Sequence, residues 1–264
     1  MLDGERLRAM LDESPARAAQ AILIAAREDV LDAQALLGQI LLDGQGIAQD
    51  RPLALRWFDI AARRGHVMAR NMLGRCHEHG WGCAANTSLA ARHYRLAATA
   101  GLDWAMYNYA NLLATGRGVV EDQFQALSLY RRAAELGHAK SMNLLGRYLE
   151  EGRVCPVDPA AARSWYRRSA EGGDFRGQFS FAAVLTDEGN IEDALVLAAQ
   201  GVGRWQPEFS ASGESNADKR DRSEDSGAGP RIPSSSRRIN PSPLSLCGSE
   251  PARDDVMTFN INVD

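Results

Sequence analysis

The stretch Leu37–His66, LGQILLDGQGIAQDRPLALRWFDIAARRGH, holds most of one helix, a turn and a second helix. Just before and into it, Ala33, Leu36, Leu37, Ile40 and Leu41 recur at spacings of three and four, which is one face of an α-helix. Gly44-Gln45-Gly46 ends that helix, because glycine accepts the left-handed backbone that closes one. Asp50 then suits the N-cap of a second helix and Pro52 its first turn. Ala54, Leu55, Trp57, Phe58, Ala61 and Ala62 form its apolar face, and Gly65 stops it.

The same unit recurs along the chain at a fixed step of 36 residues. Gly65, Gly101, Gly137 and Gly173 lie on that step, and so do Ala18, Ala54, Ala90, Ala126 and Ala162. Gly44, Gly80, Gly116 and Gly152 form a further column, and Asp50, Asn86, Asp122 and Asp158 another. The Phe58 column continues as Tyr94, Tyr130 and Tyr166, and the Trp57 column as His93, Leu129 and Trp165. A period of this length marks a solenoid, in which each unit buries its apolar face only against its neighbours. The alanine columns let two helices approach closely, while the aromatic column fills the space beyond.

The expected architecture is therefore an all-α, right-handed solenoid of helix-turn-helix repeats with degenerate caps. Residues 1–31 are expected to form an N-terminal cap and residues 32–66, 67–102, 103–138 and 139–174 four repeats. Residues 175–206 read as a C-terminal cap with a shortened turn at Asp187-Glu188-Gly189-Asn190. From 207 to 264 the chain is rich in Ser, Pro, Gly, Arg and Asp and has no period, the composition of a disordered tail.

Charge says little about a partner. The 264-residue chain carries a formal net charge of −4, which gives no electrostatic case for nucleic acid or an anionic membrane. The four cysteines form no CxxC pair, as expected of a reduced, cytoplasmic protein. No stretch approaches the ~20 apolar residues of a membrane-spanning helix.

The pattern from Leu37 to His66, with its Leu-Gly, paired turn glycines, Asp, Trp-Phe, Ala-Ala and Gly-His, resembles the Sel1-like repeat, a longer relative of the tetratricopeptide repeat. It recurs at Leu73–Leu102, Tyr109–His138 and Leu145–Asp174. There are departures: His77 stands where the family favours Tyr, Tyr109-Ala110 replaces Leu-Gly, and Val154 replaces the second turn glycine. The resemblance implies a non-enzymatic adaptor or scaffold, of a bacterial type, that holds a protein or peptide in a concave groove lined by the first helix of each unit. It implies no cofactor.

Two columns four residues apart are expected to face that groove. One is Ala35, Asn71, Tyr107 and Asn143; the other is Gln39, Arg75, Asn111 and Arg147. Trp104 and Asn108 lie beside them. Asn71, Asn111 and Asn143 would bond a peptide backbone, Arg75 and Arg147 would take carboxylates, and Trp104 and Tyr107 would anchor apolar groups.

The segment Cys76-His77-Glu78-His79-Gly80-Trp81-Gly82-Cys83 invites a rival reading as a metal or redox site. The register argues against it. Cys76 shares its column with Ile40, Leu112 and Tyr148, His77 with Leu41, Leu113 and Leu149, and Cys83 with Ile47, Val119 and Cys155, so all three are expected to fill core space. His66 and His138 are expected to cap and pack, and Glu150-Glu151 to be a solvated helix end.

Overall fold

The computed structural model describes residues 14–204. The tail expected at 207–264 and the first thirteen residues of the cap expected at 1–31 lie outside the described residues. Those described form eleven helices, each joined to the next by a short turn. They are α1 (Pro15–Arg27), α2 (Leu31–Asp43), α3 (Arg51–Arg63), α4 (Val67–His79), α5 (Thr87–Thr99), α6 (Asp103–Thr115), α7 (Gln123–Glu135), α8 (Ala139–Glu151), α9 (Pro159–Glu171), α10 (Phe175–Asp187) and α11 (Ile191–Arg204). The first helices of the units (α2, α4, α6, α8, α10) begin 36 residues apart, as do the second helices α1, α3, α5, α7 and α9. Only α11 starts four residues early, after the shortened turn.

Local chemistry sets each boundary. The side chains of Asp50, Asn86, Asp122 and Asp158 accept from the backbone N–H three residues on, at 2.8–2.9 Å. These N-caps are worth ~1 kcal/mol each. The N–H of each cap residue also reaches back to the preceding helix, for example Asn86 to the His77 carbonyl at 2.7 Å. One residue thus closes the turn at both ends, through its side chain forward and its backbone N–H backward. His66 and His138 cap α4 and α8 through Nδ1, which accepts from the Ala69 and Ser141 N–H groups. These two histidines therefore have a structural occupation.

The core is a chain of ring-in-seat contacts. Phe58, Tyr94, Tyr130 and Tyr166 are almost completely buried. Phe58, Tyr94 and Tyr166 each lie flush against a glycine of the preceding helix. A Cβ added at Gly38, Gly74 or Gly146 would stand 2.7, 2.4 and 2.6 Å from the respective ring. In the third unit the seat is Ala110, and there the ring packs differently: the Tyr130 hydroxyl donates to Asn111 Oδ1, whereas Tyr94 and Tyr166 donate to Glu78 and Glu150. Glu150 is thus a hydrogen-bond acceptor and not merely a solvated helix end.

Units are joined by a second close approach. A Cβ on Gly46, Gly82 or Gly118 would meet the N-terminal backbone of the second helix one unit earlier at 2.1–2.4 Å. Val154 occupies the same column and keeps a left-handed backbone with φ 49°, a conformation that costs a β-branched residue roughly 1–2 kcal/mol. Asp29 likewise takes the left-handed position that Gly65 fills one step later.

Two outcomes follow for the full chain in urea denaturation. Gly74→Ala drives a methyl into the Tyr94 ring and lowers stability by ~1–3 kcal/mol. Val154→Gly releases the left-handed strain and raises stability by up to ~1 kcal/mol, with a higher urea midpoint.

Candidate functional site

The first helices stand side by side, because α6 and α8 share one apolar cluster through Leu113, Met142, Leu145 and Tyr148. Their polar columns divide into a buried seam and an accessible face. Asn71 and Asn143 belong to the seam, at 0% and 4% exposure. The Asn71 side-chain oxygen accepts from Asn108 Nδ2 at 3.0 Å, across to the next unit. Their expected role as donors and acceptors for a bound peptide is therefore corrected. The following helix covers them, and they serve contact between units.

The other candidates remain reachable. Arg147 is exposed, and Arg75, Trp104, Tyr107, Asn108 and Asn111 are half-buried. Asn111 already accepts the Tyr130 hydroxyl at 2.6 Å, which leaves its amide NH2 as the group to offer. The Arg75 guanidinium lies 5.2 Å from the centroid of the Trp81 ring, and Arg147 reaches Glu151 at 3.5 Å. Neither arginine is held by a buried carboxylate, and exposed pairs of this kind contribute little.

An aromatic cluster that the sequence reading did not assemble lies among them. Trp104 meets the His138 ring edge-on at 4.6 Å, and Tyr107 lies 4.9 Å from it. Tyr107 continues to Tyr130 at 6.4 Å, and Tyr130 to Tyr148 at 5.8 Å. Burial raises the Tyr130 and Tyr148 hydroxyls above their ordinary range, so both act as donors. The signal for the cluster was available in part: Trp104 and Tyr107 share a helix face at a spacing of three. His138, expected to cap and pack, was not joined to them because it lies at a later helix boundary, more than thirty residues on from Trp104.

Burial and ring contacts set the surroundings of the Cys76–Cys83 segment. Cys76 is fully buried and its thiol is pushed up to about 12, first by burial. Burial raises Cys83 too. Both thiols hold their protons at neutral pH, whereas metal ligation and redox attack need the thiolate. Cys83 Sγ sits 3.4 Å from His77 Nδ1, yet His79 turns to Trp81 at 4.8 Å. Among the described residues no group of three or more His, Cys, Asp or Glu side chains gathers to hold a metal. Only Cys76 fills core space fully; His77 and Cys83 are half-buried, which corrects the expectation for those two.

His77 stacks on His93 at 5.4 Å. His93 is drawn down to about 4, first by burial and then by His77, Arg70 and Arg92, against the opposing pull of Asp59. Unfolded, the ring takes its proton near 6.5. The folded protein resists that proton, so stability is present above pH 6.5 and is lost as pH falls toward 4. Urea midpoints at pH 7 and pH 5 are expected to show this loss. His93→Leu, with the residue that the next unit holds as Leu129, is expected to reduce it.

Comparison with known proteins agrees with this geometry. The family model described as Sel1 repeat matches residues 31–66, 67–102, 105–138 and 139–174. A Sel1 repeat protein from Oxalobacter formigenes superposes with a TM-score of 0.69 at 24% identity, over 76% of this chain and 84% of that one. A protective antigen of uropathogenic Escherichia coli strains, displaying an SLR fold, gives 0.63 at 29% identity over 75% of this chain. This chain spans 45% of that antigen's length. No curated protein matches the chain. No helix among the described residues is long and apolar enough to cross a membrane.

Proposed function

The chain belongs to the Sel1 repeat family, whose members are in general protein-interaction scaffolds, and we propose that it works as a non-enzymatic adaptor holding a protein or peptide segment in its concave groove. The observation that carries this reading is the accessible strip on the first helices: Arg75, Asn108, Asn111 and Arg147 around the half-buried rings of Trp104 and Tyr107. Contacts to His138, Asn71 and Tyr130 hold Trp104, Tyr107, Asn108 and Asn111 in place, so little ordering entropy is lost when these four bind. Rigid aromatics beside arginine are the residue types that dominate binding energy at interfaces. Arginine can grip a carboxylate with two parallel hydrogen bonds, and the Asn111 amide can bond a peptide carbonyl.

In this reading the buried Asn71 and Asn143 set the spacing of the helices and do not touch the partner. The partner is a segment with at least one acidic residue and an apolar side chain to lie against Trp104. The work is recruitment, in the cytoplasm, with neither nucleic acid nor membrane involved.

The test compares affinity capture by the wild-type chain and by Arg75→Glu/Arg147→Glu, with circular dichroism to check the helices. A partner held by the wild type and lost by a fully helical double variant supports the groove. Retention by both contradicts it.

A further inference from the structure

The last described unit leaves an apolar face uncovered. Phe179 of α10 and Ile191, Leu195 and Val196 of α11 are between 41% and 65% exposed. The Phe179 ring borders α11 at Gly201, 3.3 Å from where a Cβ there would stand. Ile191 and Leu195 lie one turn apart on α11, and Val196 stands beside Leu195. A terminal unit ordinarily turns a polar side outward, because nothing follows to bury an apolar one.

The repeat shows what this face is for. Phe179 stands in the column of Ala35, Asn71, Tyr107 and Asn143, each buried or half-buried. Asn71 is bonded there by Asn108 of the following first helix. Allowing for the early start of α11, Leu195 stands in the column of Leu55, Ala91, Leu127 and Arg163, again buried or half-buried in every earlier unit. Ala91 and Leu127 belong to clusters that include Leu112 and Leu145 of the following first helix. Phe179 and Leu195 thus face the place where a sixth first helix would lie. Val196 stands in the column of Arg56, Arg92, Ser128 and Ser164, which is polar and exposed in every earlier unit. The last unit is therefore apolar even where its predecessors meet water.

We propose that the segment Val256–Val263 of the same chain docks on this face and caps the stack. Val256, Met257, Phe259, Ile261 and Val263 are five large apolar residues in eight, with no charged residue among them. The 49 residues from 207 to 255 hold only Phe209, Ile232, Ile239, Leu244 and Leu246. From Met257 on the apolar residues alternate with polar ones, which places four of them on one side of an extended chain. The tether selects this segment over other occupants. The described chain ends with α11 itself, at Arg204, and residues 205–255 join that helix to Val256. A coil of that length spans ~40 Å, about twice the ~21 Å length of α11, so the segment reaches the face. Tethering gives it an effective concentration on the order of a millimolar, above that of a second copy in micromolar solution. The inference does not depend on the groove holding a partner.

The full chain is prepared with the photocrosslinker p-benzoylphenylalanine in place of Phe259, irradiated, digested and read by mass spectrometry. Mixing it with isotopically labelled chain separates crosslinks within one chain from those between two. Crosslinks are expected within one chain, onto α10 and α11 around Phe179, Ile191 and Leu195. Leu195→Asp/Val196→Asp is expected to cut their yield about tenfold with unchanged circular dichroism, because both side chains are exposed. Hydrogen exchange supplies a readout that leaves every described residue intact: Phe259→Asp/Ile261→Asp is expected to speed exchange of the α11 amides about tenfold. Crosslinks between chains would give the face to a second copy and overturn the proposal. Crosslinks elsewhere, their absence, indifference to the Leu195 and Val196 changes, or unchanged exchange in α11 would each overturn it too.

Discussion

An aromatic ring lying where another side chain would have its Cβ is the contact on which the rest of this structure depends. At Gly38, Gly74 and Gly146 the ring of the following helix comes within 2.4–2.7 Å of that missing atom. Such a contact permits one separation and one rotation of the helix pair, because close-packed interiors transmit strain and do not absorb it. Repeated at 36-residue intervals, it sets the geometry of each unit, and the seating of Gly46, Gly82 and Gly118 on the preceding second helix sets the relation between units. The third unit shows how the rule bends. With Ala110 as the seat and Ala114 where its neighbours have glutamate, the Tyr130 hydroxyl turns to Asn111.

Most of the fold was legible because a solenoid writes its contacts as columns. The glycines at 44, 80, 116 and 152 announced left-handed helix ends, and the Asp/Asn column announced N-caps that the side chains then make. The polar columns were less legible. Asn71 and Asn143 read as a solvent face because a polar side chain gives the same signal whether it faces water or a buried partner. The group that covers Asn71 is Asn108, which lies 37 residues on and outside its column. The tyrosine–glutamate bonds were missed for a related reason: they link different columns 16 residues apart, and only two of the four units have both partners.

A scaffold of this kind separates structure from recognition. The alanine, glycine and aromatic columns are occupied by geometry and leave little room for change. The column at 39, 75, 111 and 147 is half-buried or exposed and varies between glutamine, arginine and asparagine. The residues proposed to bind therefore sit on helices and not on loops. The half-buried His77–His93 stack adds a dependence on protons to the contact between the two helices of the second unit.

The central claim is that Gly74 is required by the Tyr94 ring and by nothing else. A double-mutant cycle on Gly74→Ala and Tyr94→Leu, read by urea denaturation, tests it directly. The account predicts that alanine at position 74 costs ~1–3 kcal/mol beside tyrosine and little beside leucine, so that the two changes are strongly coupled. Additive effects, with alanine equally costly beside either residue, would contradict it.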